Sequence, residues 1–277
     1  MHHYQTRTLI EEEPTDGHSP LKFLCNDGKL YYCKYRIRPK PEELDFLVYE
    51  VVSQFLLRSL DIPTPHIAFV TIQDGSYRID QLRANKRYLK PGVVCFGSQA
   101  VPNADLVRQT EASCTKTTFK QLINPLDLIH IAVFDLWTNN VDRGRAFDSG
   151  CNYNLLRVPY DNKTQFVAFD NAFTFGGEHW LRAFNSTWPS SVTSCLFNSP
   201  YYRAVIKHIP VAQRYRVACN FLNLCYERGE EAIRMAFNEL PPSWATPPTL
   251  QARMAEFLLN KQRRSRVEPL INQFIDF

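Results

Sequence analysis

The densest run of polar side chains in the 277-residue chain begins at Asn140-Val141-Asp142-Arg143. It continues through Asn152-Tyr153-Asn154-Leu155-Leu156 and ends in Phe166-Val167-Ala168-Phe169-Asp170-Asn171. Two carboxylates and two amides in this order suit phosphoryl transfer. That chemistry needs a hard metal ion held by oxygen ligands, commonly one carboxylate and one amide beside the nucleotide's own phosphates. It also needs a separate carboxylate to orient or deprotonate the attacking hydroxyl. Asp142, Asp170 and Asn152 or Asn154 could fill these roles. Aspartate is also common at turns, where it bonds its own backbone. Two aspartates and two asparagines spaced over one helix end and one hairpin are better explained by a site.

These residues must be held by flanking elements. Leu126, Ile129, Val133, Phe134 and Trp137 recur at helical spacing and predict a helix ending at Thr138-Asn139-Asn140. Asp135 within it is expected to brace the following loop, and His130 to be a packed core histidine. Tyr153 to Val158 and Gln165 to Phe169 read as two strands joined by Pro159 to Lys163. Upstream, Leu21 to Cys25 and Lys29 to Ile37 flank Asn26-Asp27-Gly28 as a hairpin. Pro41-Glu42-Glu43 opens a helix whose apolar face is Leu44, Leu47, Val48, Val51, Val52, Phe55 and Leu60. A second hairpin is expected from Ile67 to Ile72 and Tyr77 to Leu82, closed by Gln73 to Ser76. Residues 1 to 20 are polar and turn-rich, and no strand is assigned there. Helices are expected at Ala212 to Arg228, Glu230 to Asn238 and Leu250 to Leu259. The basic run Lys261, Arg263, Arg264 and Arg266 reads as a solvated helix face. His179 and Trp180 fall where they would line a site mouth without taking part in catalysis.

Asn-Val-Asp-Arg, then Asn-x-Asn-Leu-Leu, then Val-Ala-Phe-Asp-Asn resembles the catalytic segment of HipA-like kinases. Asp142-Arg143-Gly144 and Phe169-Asp170-Asn171 are also similar to type II phosphatidylinositol 4-kinases. The likeness extends back to Tyr32-Cys33-Lys34, to the helix bearing Glu50 with Leu60 to Pro65 after it, and to Cys95-Phe96-Gly97-Ser98. It implies an α+β, two-lobed protein-kinase-like fold: a small β-rich N-terminal lobe over 1–90 and a larger, mostly helical lobe over 91–277, with a cleft between them. The cofactors implied are ATP and Mg²⁺. By the resemblance, Lys34 holds the nucleotide phosphates and Glu50 pairs with it. Asp142 faces the acceptor hydroxyl and Asp170 the metal. Gly17-His18-Ser19 is the one flexible stretch available to cover the phosphates. Eight residues, Gly144 to Cys151, separate Arg143 from Asn152, more than the family usually places before its metal-binding amide. Asn152 and Asn154 therefore both stand as metal ligands. The implied acceptor is a protein serine or threonine, and an antitoxin-type partner comes with the same likeness. The alternatives are a lipid or small-molecule kinase and a nucleotide-binding module without turnover.

Composition narrows the partner class. Hydrophobic residues make up 44% and aromatics 13%, enough for a substantial core. A net charge of +4 from 32 basic and 28 acidic residues is too mild for nucleic-acid binding through neutralised phosphates. None of the eight cysteines falls in a CxxC spacing, so they read as reduced core thiols of a cytoplasmic protein. The amino terminus lacks the apolar core of a secretory signal, and no apolar stretch reaches the ~18 residues of a membrane span.

Overall fold

The computed structural model describes residues 1–13, 19–36, 43–83, 86–176 and 195–275. Five strands form a closed barrel at the N-terminal end: β1 (His2–Glu12), β2 (Leu21–Cys25), β3 (Leu30–Lys34), β4 (Ile67–Thr71) and β5 (Val94–Gln99), in the order β1-β2-β3-β5-β4. All neighbours are antiparallel except β1 and β4, whose parallel pairing closes the ring. Closure leaves no open sheet edge. Leu21, Phe23, Tyr31, Cys33, Val70 and Cys95 fill the interior.

Two features of this barrel differ from the sequence reading. β1 was not expected, because among its eleven residues only Thr6 and Leu9 are buried and no apolar alternation marks it. The second hairpin is also corrected. Tyr77 to Leu82 holds only a 3₁₀ turn, Ile79–Gln81, with Ile79 exposed, and β4 pairs instead with β5. β4 is buried at four of its five positions, so its partner must be comparably apolar. Val94-Cys95-Phe96 meets that requirement, whereas the Arg78 and Asp80 side chains of the expected strand do not.

Helix α1 (Glu43–Ser59) crosses between β3 and β4 and packs against the second lobe. That lobe holds β6 (Asp105–Leu106), α2 (Lys116–Lys120), α3 (Asp127–Thr138), β7 (Ala146–Phe147), β8 (Gly150–Cys151), β9 (Leu155–Tyr160) and β10 (Lys163–Ala168). It ends in α4 (Pro200–Ile206), α5 (Val211–Glu239), α6 (Pro248–Leu259) and α7 (Lys261–Ile275). β9 and β10 pair antiparallel, Ala168 opposite Leu155 and Phe166 opposite Arg157, as the sequence pattern implies.

α5 is one helix of 29 residues where the sequence reading divided it near Gly229. The glycine is there for a close approach: a Cβ would lie 3.0 Å from Cη2 of Trp137. Trp137 is the centre of this packing, fully buried, with its indole N–H donated to the Leu258 carbonyl at 2.9 Å. The basic run is corrected as well. Arg263 is buried, and its Nε and Nη2 donate to the Trp137 and Leu136 carbonyls at 2.8 and 2.9 Å, satisfying the C-terminal end of α3. Burial pulls its pKa down to about 10. Arg264 pairs with Glu268 at the surface, and Lys261 and Arg266 are exposed. His130 is half-buried, stacked on Phe221 and bonded to Asp127.

Candidate active site

α3 delivers the first part of the site. Its C-cap, Asn139, turns left-handed with φ 53°, and Asn140 then bends the chain back so that its Oδ1 accepts the Asp142 backbone N–H at 3.1 Å. Asparagine tolerates that φ because its short polar side chain bonds locally. Asp142 is thereby fixed at the head of a loop. Both amides reach it: Asn152 Nδ2 donates to Asp142 Oδ2 at 2.9 Å and Asn154 Nδ2 to the same oxygen at 2.8 Å.

The long spacing between Arg143 and Asn152 is absorbed by the β7–β8 hairpin. Gly144 N–H donates to the Asn152 carbonyl at 2.6 Å, and Asn152 N–H donates to Arg145 at 2.9 Å. The insertion is thus looped out, and Asn152 returns to Asp142 as if the intervening residues were absent. Gly144 has to be glycine here: φ is +88°, and a Cβ would lie 2.3 Å from the Cys195 carbonyl carbon.

The second part comes from the barrel. Lys34 ends β3 largely withdrawn from water, with its Nζ 2.5 Å from Glu50 Oε1 and 2.7 Å from Asp170 Oδ1. Glu50, buried on α1, uses its other oxygen to accept the Asn171 backbone N–H at 2.8 Å. Burial opposes the charge on Lys34, but the facing carboxylates of Asp170 and Glu50 outweigh it and hold its pKa above the ordinary value. Burial pushes the Glu50 carboxyl up, against the pull of Lys34. Burial and the Asp170 charge likewise raise Asp142, while the Asn152 and Asn154 amides hold it down.

The two parts meet at the end of β10. Asp170 sits at φ 54° and Asn154 at φ 44°, both left-handed, and Asn154 Nδ2 also lies 3.4 Å from the Asp170 carbonyl oxygen. Non-glycine residues held in this region, side by side, mark a locally over-determined backbone of the kind found at functional sites. The Asp170 side chain keeps 34% of its exposure and opens onto a cavity of about 400 Å³. Phe96, Leu156 and Phe169 line its apolar side and Lys34, Glu50 and Asp170 its polar side. That volume and that division of surface suit a small-molecule cofactor. A larger hollow of about 890 Å³, bordered by Arg58 and Glu239, touches none of these carboxylates.

Lys34, Glu50, Asp142, Asn152, Asn154 and Asp170, named from sequence, therefore lie in one continuous group. Gly17 and His18, and likewise His179 and Trp180, lie outside the described residues. Ser19 is described, at φ 38° just before β2. Sequence reasoning missed Arg143 and Asn171, both fully buried at the site. An arginine in a polar loop reads as solvated, and only its place directly after Asp142 marks it. Among the described residues no group of three His, Cys, Asp or Glu could hold a metal by itself. A lone carboxylate with amide oxygens is instead the donor set of an ion that takes much of its coordination from phosphates and water, as Mg²⁺ does.

The sequence pattern of the HipA-like kinase family matches residues 11–209. Among solved structures, the Helicobacter pylori proinflammatory kinase CtkA aligns over 100% of this chain and 98% of its own, at 12% identity and a TM-score of 0.51. The Golgi casein kinase aligns over 98% of this chain and 73% of its own, at 12% identity and a TM-score of 0.43. No curated protein matches the chain in sequence. The fold is of the two-lobed, kinase-like α+β class, and the family match makes the chain a phosphotransferase in general. The family pattern spans well over half of the chain, and the protein belongs to the HipA-like kinases.

Proposed function

We propose that the protein transfers the γ-phosphoryl group of ATP, with Mg²⁺, to the hydroxyl of a protein serine or threonine. The observation that carries this reading is the bridging of Lys34 between Glu50 and Asp170, beside the Asp142–Asn152–Asn154 cluster, at the polar wall of a nucleotide-sized cavity. The same proposal puts the lobe boundary just after Gln99, where the barrel's fifth strand ends, nine residues beyond the division at residue 90 read from sequence.

Lys34, held charged by its two carboxylates, binds phosphate oxygens and gives up part of its contact with Asp170 when nucleotide enters. Glu50 keeps its ammonium aimed at the cavity. Asp170 and one amide oxygen hold the metal. Asn154 is the better candidate for that amide, because its side chain contacts both Asp142 and the Asp170 backbone. Mg²⁺ held there would supply positive charge to offset the charge developing in phosphoryl transfer. Asp142 orients the acceptor hydroxyl and takes up its proton, and the apolar wall of Phe96, Leu156 and Phe169 receives the base. Ser19 covers the phosphates. Most of the acceleration comes from positioning and charge neutralisation.

A protein acceptor is favoured by the breadth of the family match over the alternative of a lipid or small-molecule acceptor. Eight free thiols, seven of them buried, fit a reducing cytoplasm, and among the described residues no helix is long and apolar enough to cross a membrane. Incubation with Mg²⁺ and γ-labelled ATP, alone and with cell lysate, tests the reading. Label on a protein with wild type, and none with Asp142→Asn or Asp170→Asn, supports it. ATP binding without any transfer replaces it with a nucleotide-binding module, and label on lipid redirects the acceptor. A partner of antitoxin type would be retained from the same lysate by the tagged protein.

A further inference from the structure

Arg143 follows Asp142 directly, and its side chain is wholly withdrawn from water. Its guanidinium has three partners on two segments. Nη1 donates to Asp135 Oδ1 on α3 at 2.6 Å, and Nη2 donates to the Phe169 carbonyl and to Asn171 Oδ1, each at 2.8 Å. Phe169 and Asn171 are the two neighbours of Asp170. Asn171 passes the contact on through its backbone N–H to Glu50, and Asp135 through its Oδ1 to Asn140 Nδ2 at 3.0 Å. Asn140 in turn holds the Asp142 N–H. One unbroken series of hydrogen bonds thus runs from Lys34 through Glu50, Asn171, Arg143, Asp135 and Asn140 to Asp142.

Stability alone is a poor reason for this arrangement. Replacing a buried ion pair by apolar groups of similar volume is often neutral or stabilising. Here the pair also leaves Asp135 Oδ2 and Arg143 Nε buried without a partner among the described residues. What the guanidinium supplies instead is geometry. Its planar fork can address a carboxylate, a carbonyl and an amide oxygen at once, which an ammonium on a flexible stem cannot reproduce.

Resting on the proposal that Asp142 and Asp170 are the working carboxylates, we infer that Arg143 is a positioning residue: it clamps both neighbours of Asp170 to the helix that carries the Asp142 loop. The clamp sets the distance between the two carboxylates and links it, through Asn171 and Glu50, to the engagement of Lys34. Arg143 touches neither nucleotide nor acceptor. Its loss therefore lowers turnover more than it lowers nucleotide affinity.

The test uses the full chain as wild type, Arg143→Lys, the charge-free pair Asp135→Leu with Arg143→Met, and Arg263→Met as a buried-arginine control outside the site. Melting temperature, the KM for ATP and kcat are measured for each. Both Arg143 variants are expected to lose about 100-fold in kcat, the scale of an ångström-sized misplacement. Their KM for ATP should change by less than their kcat does, and Arg263→Met should lose melting temperature but keep kcat. Full kcat in either folded Arg143 variant overturns the inference. So does a kcat loss that Arg263→Met shares, since the effect would then be generic to buried arginines. A wild type that binds ATP but transfers nothing overturns the phosphotransferase proposal itself, and the role of Arg143 falls with it.

Discussion

Lys34 meets two carboxylates within 2.7 Å while largely out of water, and that contact sets the character of the site. An ammonium in such a place stays charged only because Glu50 and Asp170 face it, so its charge is available to phosphate oxygens at any ordinary pH. The supporting pair is tuned differently. Burial raises Asp135 to about 7, against the opposing pull of Arg143 and the Asn140 amide. A carboxyl whose folded pKa lies above its ordinary 3.8 contributes stability fully below that value and loses it as pH climbs through about 7. Asp135→Asn fixes the neutral form. Its melting temperature relative to wild type is therefore predicted to rise between about pH 5 and about pH 8. Paired thermal melts across that range check this, and a pH-independent difference contradicts it. The grouping of Asp142, Asp170, Asn152, Asn154, Lys34 and Glu50 was legible from residue type and order together with family resemblance. Arg143 was not, because what makes it important is the absence of water around it.

At the scale of elements, the β7–β8 hairpin and the long helix α5 carry the argument. The hairpin returns Asn152 to Asp142 only because the chain can pass close to the Cys195 backbone at Gly144. Gly144→Ala is predicted to displace the loop and cost at least tenfold in transfer, a result that kinetics on the folded variant would show. Unchanged kinetics would mean that the loop tolerates the displacement. In α5, Gly229 lets the Trp137 ring come close to the helix backbone. Gly229→Val should destabilise by about 1–3 kcal/mol through overpacking, measurable by urea denaturation, even though glycine is a poor residue for a helix interior. A stabilised variant would show the contact to be soft. These elements also mark where sequence patterns misled. A polar strand such as β1 has no apolar period, because it is buried at two positions only. Tyr77 to Leu82 carried β-favouring residues without the two-sided burial that β5 supplies. A glycine that serves packing is indistinguishable, along the chain, from one that ends a helix.

For the whole molecule, the barrel and the helical lobe each contribute one half of the site, and neither half is sufficient. Lys34 comes from the barrel and Glu50 from the helix between its strands, while Asp142, Asn154 and Asp170 come from the second lobe. α1, which carries Glu50, packs on α5 of the other lobe, so lobe placement and Lys34–Glu50 pairing are mechanically joined. The order of helix, loop aspartate, amide, hairpin and strand-end aspartate was readable because each step has a local signature. Closure of the barrel was not, since a parallel β1–β4 contact joins His2 to Ala68 with no local mark in either segment. The direct test of the central claim is transfer of label from γ-labelled ATP with Mg²⁺ to protein, comparing wild type with Asp142→Asn. Label with wild type, reduced by about 100-fold or more in the variant as expected for loss of a general base, is the predicted result. Equal labelling by both proteins, or none by a wild type shown to be folded, would contradict the account.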